Sequence, residues 1–333
     1  MNGSYFTRAV ALFWVMSWLP AVCYADMTPQ AAGLNWLHRV ATAAHQLNYT
    51  GIFVYQHGSH VEASRITHLI DASGEYEKLE ALDGTPREII RSNNQVFCYL
   101  PGKNAVIVEK RRTVKPFPAL LPKQLSDLSA NYAVTLGGVE RVAGYDCQVI
   151  FLAPRDHYRY AHTLWAEAQS GLLLKANMRD EKNRLVDQFA FTQVTIGGPI
   201  DKAVFNLKPV AGTQVWKLPA AINDQPAAGG GGWEIAGLPP GFTKVLDVMR
   251  RMPGKRQPVR HIAYSDGLVA VSVFIAPENK RANLRQGLSR QGVINIDSRM
   301  LARHQVTVLG EVPVATIEQI ADSITYVNRK ELH

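Results

Sequence analysis

Residues 158–195 read YRYAHTLWAEAQSGLLLKANMRDEKNRLVDQFAFTQVT. Apolar positions alternate through Tyr160, His162 and Leu164 with Trp165, then Leu172, Leu174, Ala176 and Met178, then Phe189 and Phe191. Two polar turns separate these runs, Gln169-Ser170-Gly171 and the five residues from Arg179 to Asn183. Period-two alternation between short turn clusters predicts an antiparallel meander with one buried face. A sheet of this kind has an apolar face that a helix, a partner or a lipid must cover.

Upstream, the same pattern repeats. Strands are predicted near 51–55, 61–70, 76–82, 87–91, 95–100 and 105–108, then near 134–142 and 145–152. The connections are short turns rich in Gly, Pro, Asn and Asp, which imply nearest-neighbour antiparallel pairing. Residues 29–47 instead show helical spacing, with Leu34, Leu37, Val40, Ala41, Ala44 and Leu47 on one face and Thr28 as N-cap before Pro29. This helix is placed to cover the sheet. Residues 113–128 break the strand pattern with Phe117, Leu120, Leu121, Leu125 and Leu128 among three prolines. Exposing so much apolar surface is costly, so this insertion is read as a lid or plug.

The chain has 333 residues, more than one core usually supports. Residues 1–25 have the form of a secretory signal peptide: Arg8, an apolar run from Ala9 to Trp18 too short to span a bilayer, and Ala25 before Asp26. Cys23 offers the rival reading of a lipoprotein, for which Val22 is a poor fit, so a soluble exported protein is favoured. A first domain then occupies 26–209. A Pro/Gly linker follows at 210–232, with four glycines at 229–232, and is read as flexible. The second domain, 233–333, holds a hairpin turned at Ser265-Asp266-Gly267, two further strands, and a terminal helix carrying Ile317, Ile320, Ile324 and Val327. The fold class is therefore α+β: a large antiparallel sheet with covering helices, plus a smaller α+β domain.

Without residues 1–25 the chain has 35 Lys+Arg against 28 Asp+Glu, and the excess sits in the second domain, 14 against 9. Such a surface suits acidic protein segments or anionic lipid; the exported address argues against nucleic acid. Cys98 and Cys147 remain, and a disulfide is favoured over two buried free thiols, although spacing alone does not show that they come within reach. No HExxH, G-x-S-x-G, P-loop or G-x-G-x-x-G motif occurs, so no enzyme chemistry, metal or cofactor is assigned. His57 and His60 flank a turn and are read as solvated; His157 and His162 are placed on different strand faces.

The stretches NYTGIFVY (48–55), VEASRITH (61–68), GTPREIIRSNNQVFCYLPG (84–102), RVAGYDCQVI (141–150) and YSDGLVAVSVFI (264–275) resemble the MucB/RseB family, in order and across both domains. GLPPGF (237–242) matches that family's opening of the second domain, with the Trp placed earlier at Trp233. The resemblance implies a periplasmic regulator of a Gram-negative bacterium. Such a regulator binds the periplasmic segment of a transmembrane anti-sigma factor, shields it from the site-1 protease and keeps an envelope-stress sigma factor inactive. In some relatives the pathway controls exopolysaccharide synthesis. It also implies a lipoprotein-carrier-like half-barrel around an apolar cavity, with lipopolysaccharide or another acylated ligand releasing the anti-sigma factor.

On that reading the cavity candidates are Phe53, Tyr55, Phe97, Tyr99, Leu121, Trp165, Phe189 and Phe191. Lys110, Arg111 and Arg112 are the candidates for lipid phosphates, and Arg250, Arg251, Arg256 and Arg260 for the anti-sigma contact. Homo-oligomerisation is left open. The rival classes are a periplasmic lipoprotein or lipid carrier, which has no need of the second domain, and an exported enzyme, which the missing motifs oppose.

Overall fold

The computed structural model describes residues 28–92, 95–110, 121, 125, 128–217, 225–226, 232–250, 252, 257–278 and 286–327. Helix α1 (Pro29–Gln46) opens the described chain. Thr28 Oγ1 accepts the Ala31 amide and Pro29 takes the first turn, where its missing N–H costs nothing. Strands follow as β1 (Tyr49–His57), β2 (His60–Asp71), β3 (Gly74–Ala81), β4 (Glu88–Ser92), β5 (Gln95–Leu100) and β6 (Ala105–Lys110). The short helix α2 (Leu128–Asn131) leads into β7 (Tyr132–Val142), β8 (Tyr145–Pro154), β9 (Ala161–Glu167), β10 (Leu173–Arg179), β11 (Leu185–Ile196) and β12 (Gln214–Lys217).

These twelve strands form one sheet in the order β12-β6-β5-β4-β3-β2-β1-β11-β10-β9-β8-β7. The opening stretch supplies its β9-β10-β11 meander, and β11 pairs with β1, joining the two halves. Leu37 and Val40 of α1 and Leu121, Leu125 and Leu128 bury themselves in the same cluster as Phe53, Phe189 and Phe191. At one sheet edge the Gln30 side chain acts as a strand surrogate, accepting the Val134 amide at 2.8 Å and donating to Tyr132 O at 3.4 Å. Gly33 brings α1 close to β7: a Cβ there would stand 2.6 Å from Val134 Cγ1.

The second sheet has seven strands: β13 (Gln225–Pro226), β15 (Thr243–Arg250), β16 (Val259–Ser265), β17 (Ala270–Pro277), β18 (Gly287–Gln291), β19 (Ile294–Leu301) and β20 (His304–Gly310), in the order β13-β15-β16-β17-β20-β19-β18. Helix α3 (Val314–Asp322) packs Ile317 and Ile320 onto Val271, Val273, Val306 and Val308. A two-stranded sheet pairs β14 (Trp233–Ile235) with β21 (Ile324–Tyr326).

Three expectations need correction. The terminal helix stops at Asp322; Ile324 belongs to a strand, because the β-branched and aromatic run Ile-Thr-Tyr finds a pairing partner in Trp233–Ile235. Residues 214–217, inside the stretch read as linker, form the parallel edge strand β12 on β6. Gln225–Pro226, in the same stretch, pairs with Met249 and Val248 of β15. Cys98 and Cys147 are both free thiols; they sit on β5 and β8, which seven other strands separate in the sheet order.

Candidate functional site

Strand register sorts the cavity candidates by face, since directly opposed residues share a side of the sheet. Phe53 opposes Phe191 and Tyr55 opposes Phe189, so these four aromatic rings line one face. Phe53 meets Phe191 edge-on at 5.9 Å, and Phe189 meets Phe191 at 6.4 Å. Leu121 joins them, 4% exposed. Of the other three, Trp165 is buried in the same cluster but by register points to the opposite face, and Phe97 and Tyr99 lie elsewhere. Trp165 is one residue out of phase with Leu164, which aligns with Ala176 and Phe189. Its indole donates to Glu140 at 2.7 Å and carries the Lys175 ammonium 4.2 Å from the ring. Phe97 opposes Ile90 and packs in a separate cluster with Leu69 and Phe205, while Tyr99 opposes Val106 and receives the Val210 amide.

In their place the register puts a row that sequence reasoning missed: Ile66, Leu79, Ile89, Cys98, Ile107 and Trp216. Burial fades along it, from Ile66 at 0% exposed to Trp216 at 59%. The buried end is packed by the protein's own side chains. Two residues along the same face, Glu77 and Arg91 form an ion pair at 2.6 Å with the Glu77 side chain 3% exposed. Arg111, Arg112, Arg251 and Arg256 lie outside the described residues, as does most of the proposed lid; Lys110 ends β6. Arg250 ends β15, opposite Val259. Arg260 is largely buried, with Nε and Nη2 each 2.8 Å from the Asp247 carboxylate, so it presents no free charge to a partner.

A buried polar constellation lies where the two domains meet, and no candidate residue anticipated it. Tyr158, Arg159 and Tyr160 head the opening stretch, and each reaches the second domain. Thr316 Oγ1 donates to Tyr158 O at 2.6 Å, and Asn295 Nδ2 donates to Tyr160 OH at 3.3 Å. Arg159 Nε donates to Asp266 Oδ2 at 2.7 Å, with both side chains 0% exposed. The rest of the guanidinium is also satisfied, by the Asp156 carboxylate and by Pro240 O. Phe242 lies under it, 5.0 Å from ring centroid to guanidinium carbon.

Asp266 is equally well held. Its Oδ1 accepts the Leu268 and Val269 amides at 3.0 Å each, and its Oδ2 also takes Tyr132 OH at 3.4 Å. Burial, together with the Asp266 charge, pushes the Tyr132 hydroxyl well above its ordinary range. Gly241 sits against Asn131 with φ +78°, a conformation and a closeness that leave no room for a Cβ.

A second contact lies at the far side of the junction. The Val293 amide donates to His57 Nε2 at 2.9 Å, which corrects the reading of His57 as a solvated turn residue. Gly292, at φ +62°, lets the loop approach, since a Cβ there would run into the His57 ring. Tyr160, Met178 and Val186 of the first domain close over Val293. A groove of about 470 Å³ opens here, between His57–His60, the Asp180–Val186 turn and Arg290–Val293. Tyr55 OH donates to Asp187 at 2.8 Å, and burial raises the pKa of Asp187 and, with the Asp187 charge, that of Glu311. The sequence offered one hint: a charged Arg between two aromatics, at the start of a run otherwise reading as buried strand.

Among the described residues no three or more His, Cys, Asp or Glu side chains are placed to hold a metal, and no helix is long and apolar enough to cross a membrane.

Known proteins resemble this chain along most of its length. The family model for the MucB/RseB N-terminal domain matches residues 32–209, and that for the MucB/RseB C-terminal domain matches 227–325. The sigma factor AlgU regulatory protein MucB of Pseudomonas aeruginosa is 33% identical over 322 residues, covering 95% of this chain and 97% of that protein. The sigma-E factor regulatory protein RseB of Escherichia coli K12 is 24% identical, covering 91% and 92%. A crystal structure of MucB in complex with MucA(peri) superposes with a TM-score of 0.70 at 29% identity, covering 89% of this chain and 99% of that one. A crystal structure of MucB gives 0.63.

Proposed function

The chain belongs to the MucB/RseB family, and from that premise we propose that it is a periplasmic negative regulator of an envelope-stress sigma factor. It is exported by residues 1–25, which are cleaved. It then caps the periplasmic segment of a transmembrane anti-sigma factor and keeps the site-1 protease from it. It acts by binding and breaks no covalent bond. The observation that carries this reading is the match across both domains to regulators of this class, one of them in complex with MucA(peri).

Release by lipopolysaccharide or another acylated ligand belongs to the same proposal. The row from Ile66 to Trp216 supports it, because it is apolar and progressively open toward β12. An acyl chain gains most by lying along that open end, and entering deeper means displacing Leu121 and Leu125 from the core. Because Trp216 lies in the segment joining the domains, such a ligand touches the connection between them. It releases the anti-sigma segment only by binding the released arrangement more tightly.

The test is calorimetric titration of the mature chain with the periplasmic anti-sigma segment, with and without lipopolysaccharide, alongside a site-1 protease protection assay. Binding and protection, both weakened by lipid, are expected. No measurable binding overturns the regulatory reading; binding unaffected by saturating lipid overturns the release step alone.

A further inference from the structure

The chemistry of His162 points to a proton-operated latch at the domain junction. The residue stands at the start of β9, between Met178 of β10 and Leu152 of β8, three residues after the Arg159 that pairs with the second domain's Asp266. Its ring meets Tyr132 edge-on at 6.2 Å, and Tyr132 in turn donates to Asp266. Its Nε2 is buried with no hydrogen-bond partner. The groups facing it are the Tyr132 ring on β7 and Asp266 from the second domain, which in turn holds Arg159, itself paired with Asp156. Both oxygens of Asp266 are already taken, by Arg159, Tyr132 and two backbone amides.

We infer that protonating His162 undocks the two domains. A proton at Nε2 finds no acceptor there, and the carboxylate whose charge reaches the ring, Asp266, is already paired with Arg159. A buried, uncompensated cation is expelled, and the route out is separation of the junction. Burial pulls the His162 pKa down from 6.5 to about 4, so the docked junction prefers the neutral ring. The sign follows: docking is at full strength above pH 6.5 and weakens as pH falls toward 4. Nothing in the regulatory assignment calls for this behaviour; it makes the molecule responsive to acid independently of any lipid.

The Val293 amide reports docking directly, because its acceptor, His57 Nε2, lies across the junction. Its hydrogen exchange, measured by NMR in the full mature chain, is compared between wild type and His162→Phe at the same pH. The comparison cancels both the pH dependence of exchange chemistry and the titration of Asp187 and Glu311 beside the reporting bond. If the undocked ring titrates at 6.5, the wild-type to variant exchange ratio rises about twentyfold from pH 7 to pH 5. His162→Gln, a smaller neutral replacement, gives the same flattening if the aromatic substitution disturbs folding. An exchange ratio that stays constant between pH 7 and pH 5 for both variants overturns the latch.

Discussion

Replacing Asp266 by Asn tests whether one ion pair joins the two domains. The substitution keeps size and retains an oxygen for the Leu268 and Val269 amides, but removes the charge facing Arg159. Removing one partner of a fully buried pair costs about 3–5 kcal/mol, because the remaining charge is left in low dielectric. Arg159 keeps the Asp156 carboxylate, whose side chain is 21% exposed, so the lower end, about 3 kcal/mol, is expected. That weakens docking by about 150-fold. It acts on the junction, because neither the Leu37–Phe191 core nor the Val271–Ile320 core loses a contact. Scanning calorimetry of wild type, Asp266→Asn, Arg159→Met and the double variant closes a cycle. The single variants should each separate the melting of the two domains, and the double variant should cost much less than their sum. Additivity within about 0.5 kcal/mol refutes the pair as the tie.

Four further outcomes follow from the same geometry. Gly292→Ala places a methyl group against His57 from a left-handed backbone and should weaken docking by roughly 1–3 kcal/mol, seen as faster exchange of the Val293 amide, while Gly287→Ala, with open space beside it, should not. Asp187→Asn should stabilise the chain at pH 8 and leave it unchanged at pH 4. The raised pKa of Asp187 means that the native state prefers the proton, so its stabilising share is lost as pH rises through that range; melting curves at the two pH values decide this. Ellman titration of the chain lacking residues 1–25, unfolded, should find two thiols without reductant. Cys147, 0% exposed and with its pKa pushed up to about 11, should react only after unfolding. Arg260→Glu should destabilise the second domain by about 3 kcal/mol, by setting two carboxylates against each other at Asp247; a folded variant with an unchanged melting temperature contradicts the buried pair.

The meander at 158–195, the covering helix from Pro29 and the hairpin at Ser265–Gly267 were all legible as periodicity and turn chemistry, because each is set by residues close in sequence. Phe53, Phe189 and Phe191 were legible as a shared face for the same reason. Trp165, Phe97 and Tyr99 were not, because side-chain phase depends on register, and a single bulge such as that at Leu173/Lys175 shifts it. The disulfide failed on strand order, which spacing does not reveal. By itself the sequence determined two domains, mostly strand, with an apolar face in the first and a surplus of positive charge in the second. Only the tertiary structure decided that Arg159 meets Asp266, 107 residues away, and that His57 meets Val293, 236 residues away. No local pattern encodes such pairs. A buried charge reads in sequence like any surface Arg or Asp until the fold removes its water and leaves it one partner.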